Sequence, residues 1–167
     1  MKDSYFIDYV AYMATLASSH VELNHSKDDK HFCRGELQDF FASSRSAIKY
    51  PCVILEGCEL KYDGNSTNVI KTRESSFIVS DAYKEKDDYD EIQNALSRCE
   101  RIGEEIIGKM INDAQNDESD FIGISISNIE AVYLQNETLK TVGCRFSFSI
   151  EQSTCLYKPD RWKNERS

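Results

Sequence analysis

Between Pro51 and Gln152 the hydrophobic pattern alternates with a period of about two residues, changes to about 3.6 for one long stretch, and returns to two. That order reads as two strands, a helix and two more strands, which points to an α+β domain. The helix is the most sharply written element. Tyr89, Ile92, Leu96, Cys99, Ile102, Ile106, Met110 and Ala114 recur at spacings of three and four, predicting a helix over Asp87 to Ala114 with one apolar stripe. Asp87, Asp88, Asp90 and Glu91 stand at its start, where carboxylates favour the positive end of the helix dipole. Gly103 and Gly108 each cost about 1 kcal/mol relative to alanine inside a helix, and close packing against a sheet would explain both.

The flanking strands are less even. Tyr50-Pro51 suits the start of a strand or an edge, because proline donates no amide hydrogen and biases the preceding residue towards extended geometry. Val53, Ile54 and Leu55 continue that strand, and Glu59-Leu60-Lys61-Tyr62 alternates. Asp63-Gly64 signals a hairpin, and the polar run to Asn68 predicts a loop longer than two residues. The returning strand, Val69 to Tyr83, has Phe77, Ile78 and Val79 as its core, and the two should pair antiparallel. After an acidic loop from Asp113 to Asp120, Ile122, Ile124 and Ile126 alternate with small polar residues, and the phase shifts near Asn128-Ile129 as a bulge requires. In the last strand Cys144, Phe146, Phe148 and Ile150 point one way, while Arg145, Ser147, Ser149 and Glu151 point the other. The expected fold is therefore α+β: a mainly antiparallel four-stranded sheet packed by one long helix, with N-terminal helices.

Those N-terminal helices are read from Ser4 to Ser18, where Tyr5, Tyr9, Met13 and Leu16 share an apolar arc broad enough to be either well buried in its own domain or partly buried by a neighbouring subunit, and from Glu36 to Ser44, where Leu37, Phe40 and Phe41 share a face. A polar loop from His20 to Lys30 separates them. The 167 residues fit one domain, residues 1–167, with a helical N-terminal part over 1–45 and an extended basic tail over 153–167. The tail carries Lys158-Pro159-Asp160-Arg161-Trp162-Lys163 and the chain's only tryptophan.

Little chemistry is written on this framework. Six cysteines occur without a C-x-x-C pair, which argues against a zinc ribbon or a thioredoxin-type site and for reduced thiols packed as small hydrophobes. His25, His31 and Cys33, with Asp28 or Asp29, could in principle ligate a metal. Their spacing matches no closed site, and a polar loop leading into a helix is the plainer reading. The cluster Asp87-Asp88-Tyr89-Asp90-Glu91 lacks the glycine and distal glutamate of a calcium loop. No serine sits in a nucleophile elbow and no glycine-rich loop cradles phosphate. The expectation is a protein that is not an enzyme and needs no cofactor or metal.

Composition narrows the partners. Twenty Lys and Arg against 29 Asp and Glu give a net charge of −9, which repels phosphate backbones and disfavours tightly held nucleic acid. No apolar run reaches the ~18 residues of a membrane span, and the first residues, Met1-Lys2-Asp3-Ser4, carry no leader signature. A reducing compartment follows, so the sequons at Asn24, Asn65 and Asn136 read as chance matches.

Tyr50-Pro51-Cys52-Val53-Ile54-Leu55, Ser76-Phe77-Ile78-Val79, Tyr89-Asp90-Glu91-Ile92 with the long helix, and Gly143-Cys144-Arg145-Phe146-Ser147-Phe148 follow one another in an order that resembles tail terminator proteins of tailed bacteriophages. The resemblance spans most of Tyr50 to Gln152. It implies a structural virion protein, made in the host cytoplasm, whose ring of six copies caps the tail tube at the neck. Its partners would be its own copies, the tail tube protein and a neck or connector protein, with DNA passing through the pore unbound and no membrane involved. The broad apolar arc of the first helix (Tyr5, Tyr9, Tyr12) and the tail (Arg161, Trp162) are the expected oligomer contacts. A head-completion or neck connector subunit is the nearest alternative. A cytosolic small-ligand-binding protein or enzyme, with its pocket between helix and sheet, is the more distant one.

Overall fold

The computed structural model describes residues 5–38, 48–65, 68–116 and 124–157. Two helices and five strands occur among them: α1 (Phe6–Ser19), β1 (Phe32–Arg34), β2 (Cys52–Asn65), β3 (Asn68–Ala82), α2 (Tyr89–Gln115), β4 (Ile124–Asn136) and β5 (Thr141–Thr154). The class is α+β as the periodicities predict, but the sheet has five strands and is mixed. Its order is β1-β2-β3-β5-β4, with β1 parallel to β2 and every other pair antiparallel. The additional strand lies inside the segment expected to be helical. Phe32, Cys33 and Arg34 pair with Val53, Ile54 and Leu55, extended by His31 O accepting from Val53 N and Leu55 O accepting from Gly35 N. Three residues are too few to show a period, so only the tertiary pairing reveals this strand. The helix expected over Glu36 to Ser44 lies largely outside the described residues.

The β2–β3 hairpin is also tighter than expected. Asn65 pairs with Asn68, which leaves two positions between them instead of a longer loop, and Gly64 supplies a φ of +109° just before the turn. The bulge expected near Asn128-Ile129 is present: the β4–β5 register shifts between Ser127 and Glu130, with Asn128 at φ +53°. β2 shifts register between Leu55 and Cys58, opposite the same part of the sheet, because Ser75 faces Cys58 and Ser76 faces Ser147, the partner of Glu130. Both outer long strands thus break step along one line across the sheet.

α1 and α2 cover one face. Ile102, Ile106 and Met110 of α2 join Val53, Leu55, Phe77, Val79, Phe146, Phe148 and Ile150 in the main core, to which α1 adds Tyr9, Met13 and Leu16. Phe77 stacks on Phe146 at 5.4 Å between centroids and meets Phe148 edge-on at 5.9 Å. Asp88 caps α2 by accepting from Glu91 N at 2.9 Å, so the acidic cluster is the helix start. The two helix glycines have different reasons. A Cβ on Gly103 would lie 2.0 Å from the Phe146 ring, whereas one on Gly108 would meet nothing within 4 Å. Close packing explains the first only.

One buried carboxylate stands out in this core. Asp81 is held above the usual carboxylate range, chiefly by desolvation, although Ala82 N and Arg98, 2.8 Å away, favour its ionised form.

Two predictions follow for stability measured by urea unfolding. Gly103→Ala should cost about 1 to 3 kcal/mol through overpacking, while Gly108→Ala should raise stability by up to about 1 kcal/mol. For Asp81 the folded state takes up a proton more readily than the unfolded one. Its contribution is full below the ordinary pKa of 3.8 and is lost as pH rises through the raised one. The wild type should therefore gain stability relative to Asp81→Asn as pH falls from about 7 to about 4; a pH-independent difference contradicts the burial argument.

Candidate assembly surfaces

Of the residues expected at an oligomer contact, the described ones, Tyr5, Tyr9 and Tyr12, differ in exposure. Tyr5 at the start of α1 is 68% exposed. Tyr9 is wholly buried in its own chain, with its hydroxyl 2.6 Å from Ser75 Oγ and Arg73 over its ring, and burial lifts its phenol above the ordinary range. This corrects the expectation for Tyr9: the arc of α1 is broad because it faces this sheet. Tyr12 is half-buried and donates to Asp113 Oδ2 at 2.8 Å, tying α1 to the end of α2, where Lys109 also pairs with Asp113. Burial, then the Asp113 hydrogen bond, raises its phenol. Arg161 and Trp162 lie outside the described residues.

The metal candidates are dispersed. His31 donates from Nδ1 to Pro51 O at 2.7 Å, His25 Nδ1 accepts from His31 N at 3.1 Å, and Cys33 packs with Cys52 and Ile54. Among the described residues no group of three or more His, Cys, Asp or Glu could hold a metal ion. The six cysteines are free thiols; Cys52, Cys99 and Cys144 are buried, and burial pushes the Cys144 thiol up to about 11. Among the described residues no helix is long and apolar enough to cross a membrane.

Two features remain that the sequence did not single out. The first is a cluster on the face of the sheet opposite α1 and α2, a face that is polar except where Cys52, Ile54 and Ile78 are buried under Cys33, Leu37 and Ile48. Here Glu56, 4% exposed, accepts from Arg145 Nε at 2.6 Å, and Arg145 Nη2 donates to Ser76 Oγ at 3.1 Å, binding β2, β3 and β5 together. An open cleft of about 440 Å³ lies over this cluster, lined by Glu36, Gly57, Glu59, Glu74, Ser76 and Ser147 among others. Its lining is acidic and rich in serine, and the Arg145 guanidinium at its floor is already engaged.

The second feature is the pair of sheet edges. β1 covers only Val53 to Leu55, so among the described residues no strand pairs with the outer side of β2 from Gly57 to Gly64, nor with the outer side of β4. Both edges carry exposed apolar side chains: Leu60 at 43% and Tyr62 at 50% on β2, Val132 at 58% and Tyr133 at 56% on β4. Unpaired backbone groups beside exposed apolar residues make a template for another strand. The signal in the sequence was the adjacent pair Val132-Tyr133, which breaks the apolar-in, polar-out alternation of a strand with one buried face.

The buried pair on the polar face gives an asymmetric prediction. Arg145→Met strands a buried Glu56 and should cost about 3 to 5 kcal/mol, while Glu56→Gln leaves a partly exposed guanidinium and should cost less. Adding Glu56→Gln to Arg145→Met should recover much of the loss; equal costs for the two single changes would contradict this assignment.

No protein-family model matches this chain, and no curated protein is found to match it, which leaves its own surfaces as the ground for a functional reading.

Proposed function

We propose that this chain is a structural subunit that assembles into a ring of six, capping a phage tail tube and joining it to the neck. The observation that carries the reading is the pair of open edges. Because β2 and β5 run one way and β3 and β4 the other, the outer long strands β2 and β4 are antiparallel. A second copy rotated about an axis near the strand direction brings its β2 antiparallel alongside β4 of the first. Each copy then adds four long strands to one continuous sheet. A head-to-tail contact of this kind closes into a ring when the rotation permits.

The faces support the same reading. With α1 and α2 on the outside, the lumen is lined by the opposite face, which carries the partly exposed Glu74, Arg145, Ser147 and Glu151 beside an apolar cluster in which Cys52, Ile54 and Ile78 are buried under Leu37 and Ile48. Twenty-four strands at about 4.8 Å spacing, tilted as barrels are, enclose roughly 45 Å between backbones. On this face Arg145 is engaged by Glu56 and Lys61 by Glu74, so that, on a chain of net charge −9, the described strands give DNA no row of free cations to adhere to.

The full chain examined by light scattering and electron microscopy should give a hexamer and an annulus with a central pore, alone or on purified tail tubes. A strict monomer at high concentration that also leaves tubes uncapped would overturn the proposal.

A further inference from the structure

We infer that neighbouring copies join through β4 of one and the distal half of β2 of the next, in one register set by Glu130 and Lys61. This rests on the ring reading above and names the contact that would hold it. Glu130 is the only charged residue in β4, and Lys61 is the only cation in β2. Both lie on the polar face, since Lys61 pairs with Thr72 and Glu130 with Ser147, the partner of Ser76.

Side-chain alternation restricts the choice of register. A slip of one residue would set the polar face of one copy against the helical face of the next, so allowed registers differ by two. Beyond the β2 bulge, Glu130 can then stand opposite Glu59, Lys61, Asp63 or Asn65. Two of these place like charges in direct opposition, which is destabilising, and only Lys61 gives an attractive pair. Lys61 already lies 2.6 Å from Glu74, so it would sit between two carboxylates. In the same register Ala131 faces Leu60, Val132 faces Glu59 and Tyr133 faces Cys58, so the exposed Tyr133 and Leu60 meet diagonally on the helical face. The pairing ends before Leu55, where β1 and Gly35 already occupy the outer side of β2.

The stagger of this register suits closure. Lys61 is level with Thr72, Glu151 and Ser125, while Glu130 is level with Ser147 and Ser76, four residues later in β3 and four earlier in β5. Four residues correspond to about 13 Å of slide, set against about 19 Å of width for four strands. The resulting strand tilt is about 35°, at the edge of the range in which sheets close into barrels. Pairing β4 with its own copy is disfavoured instead. It would bring together the acids beside that edge, since Tyr133 donates to Glu100 at 2.8 Å and Glu104 lies close enough to raise the same phenol.

The test is a charge exchange in the full chain, read by light scattering, with circular dichroism reporting the fold. Lys61→Glu and Glu130→Lys should each weaken assembly by about tenfold or more, and the double exchange should restore it to within a few fold of wild type. In a Cys155→Ser background, Leu60→Cys with Ala131→Cys should give a ladder of intermolecular disulfides on oxidation. A ring that ignores the single exchanges, or is not restored by the double one, overturns this pairing and leaves the ring standing. A wild-type chain that stays monomeric, with no ladder from the cysteine pair, overturns both.

Discussion

The approach of α2 to β5 at Gly103 is the contact on which the rest of the structure depends. Phe146 lies where a Cβ would otherwise be, and its ring is stacked on Phe77. Helix, β5 and β3 are therefore held by one interlocked set of atoms. The preceding residue of β5, Arg145, faces the other way and reaches Glu56 and Ser76. Two adjacent positions of β5 thus fix the apolar and the polar face together, and they set where β2, β3 and β4 lie relative to the helices.

With the interior so secured, the unmet valence of the fold lies at its rim. β3 and β5 are paired on both sides, whereas among the described residues no strand pairs with the outer side of β2 beyond Leu55 or of β4. Natural sheets blunt such edges with charge, bulges or cover. Both edges here carry a bulge and one of them a lysine, yet each also exposes large apolar side chains. That combination suits an edge with a selected partner better than one shielded from all partners. The surviving charges then act as register marks.

How much of this was legible in the sequence follows from where each residue's environment is set. α2 and β5 could be read because their periods are long and each buries one face. The β4 bulge could be read because a shift of phase is itself periodic information. β1 could not, since three residues owe their strand geometry to a parallel neighbour some twenty residues away. Gly103 and Gly108 look identical in sequence and differ only in what stands opposite. Tyr9 and Tyr5 share a helical arc, yet one is core and the other surface, because α1 meets the sheet over part of that arc. For the candidate surfaces the sequence offered α1 and the tail, while the open edges became visible only once strand order was known.

Hydrogen exchange, measured residue by residue on the assembled and the dissociated chain, tests the central claim most directly. Edge-to-edge assembly should slow exchange of the outward-facing amides between Gly57 and Gly64 and between Glu130 and Gln135, with little change on the exposed side of α2. Protection that appears on α1 or α2 while both edge strands exchange as freely as before would contradict it.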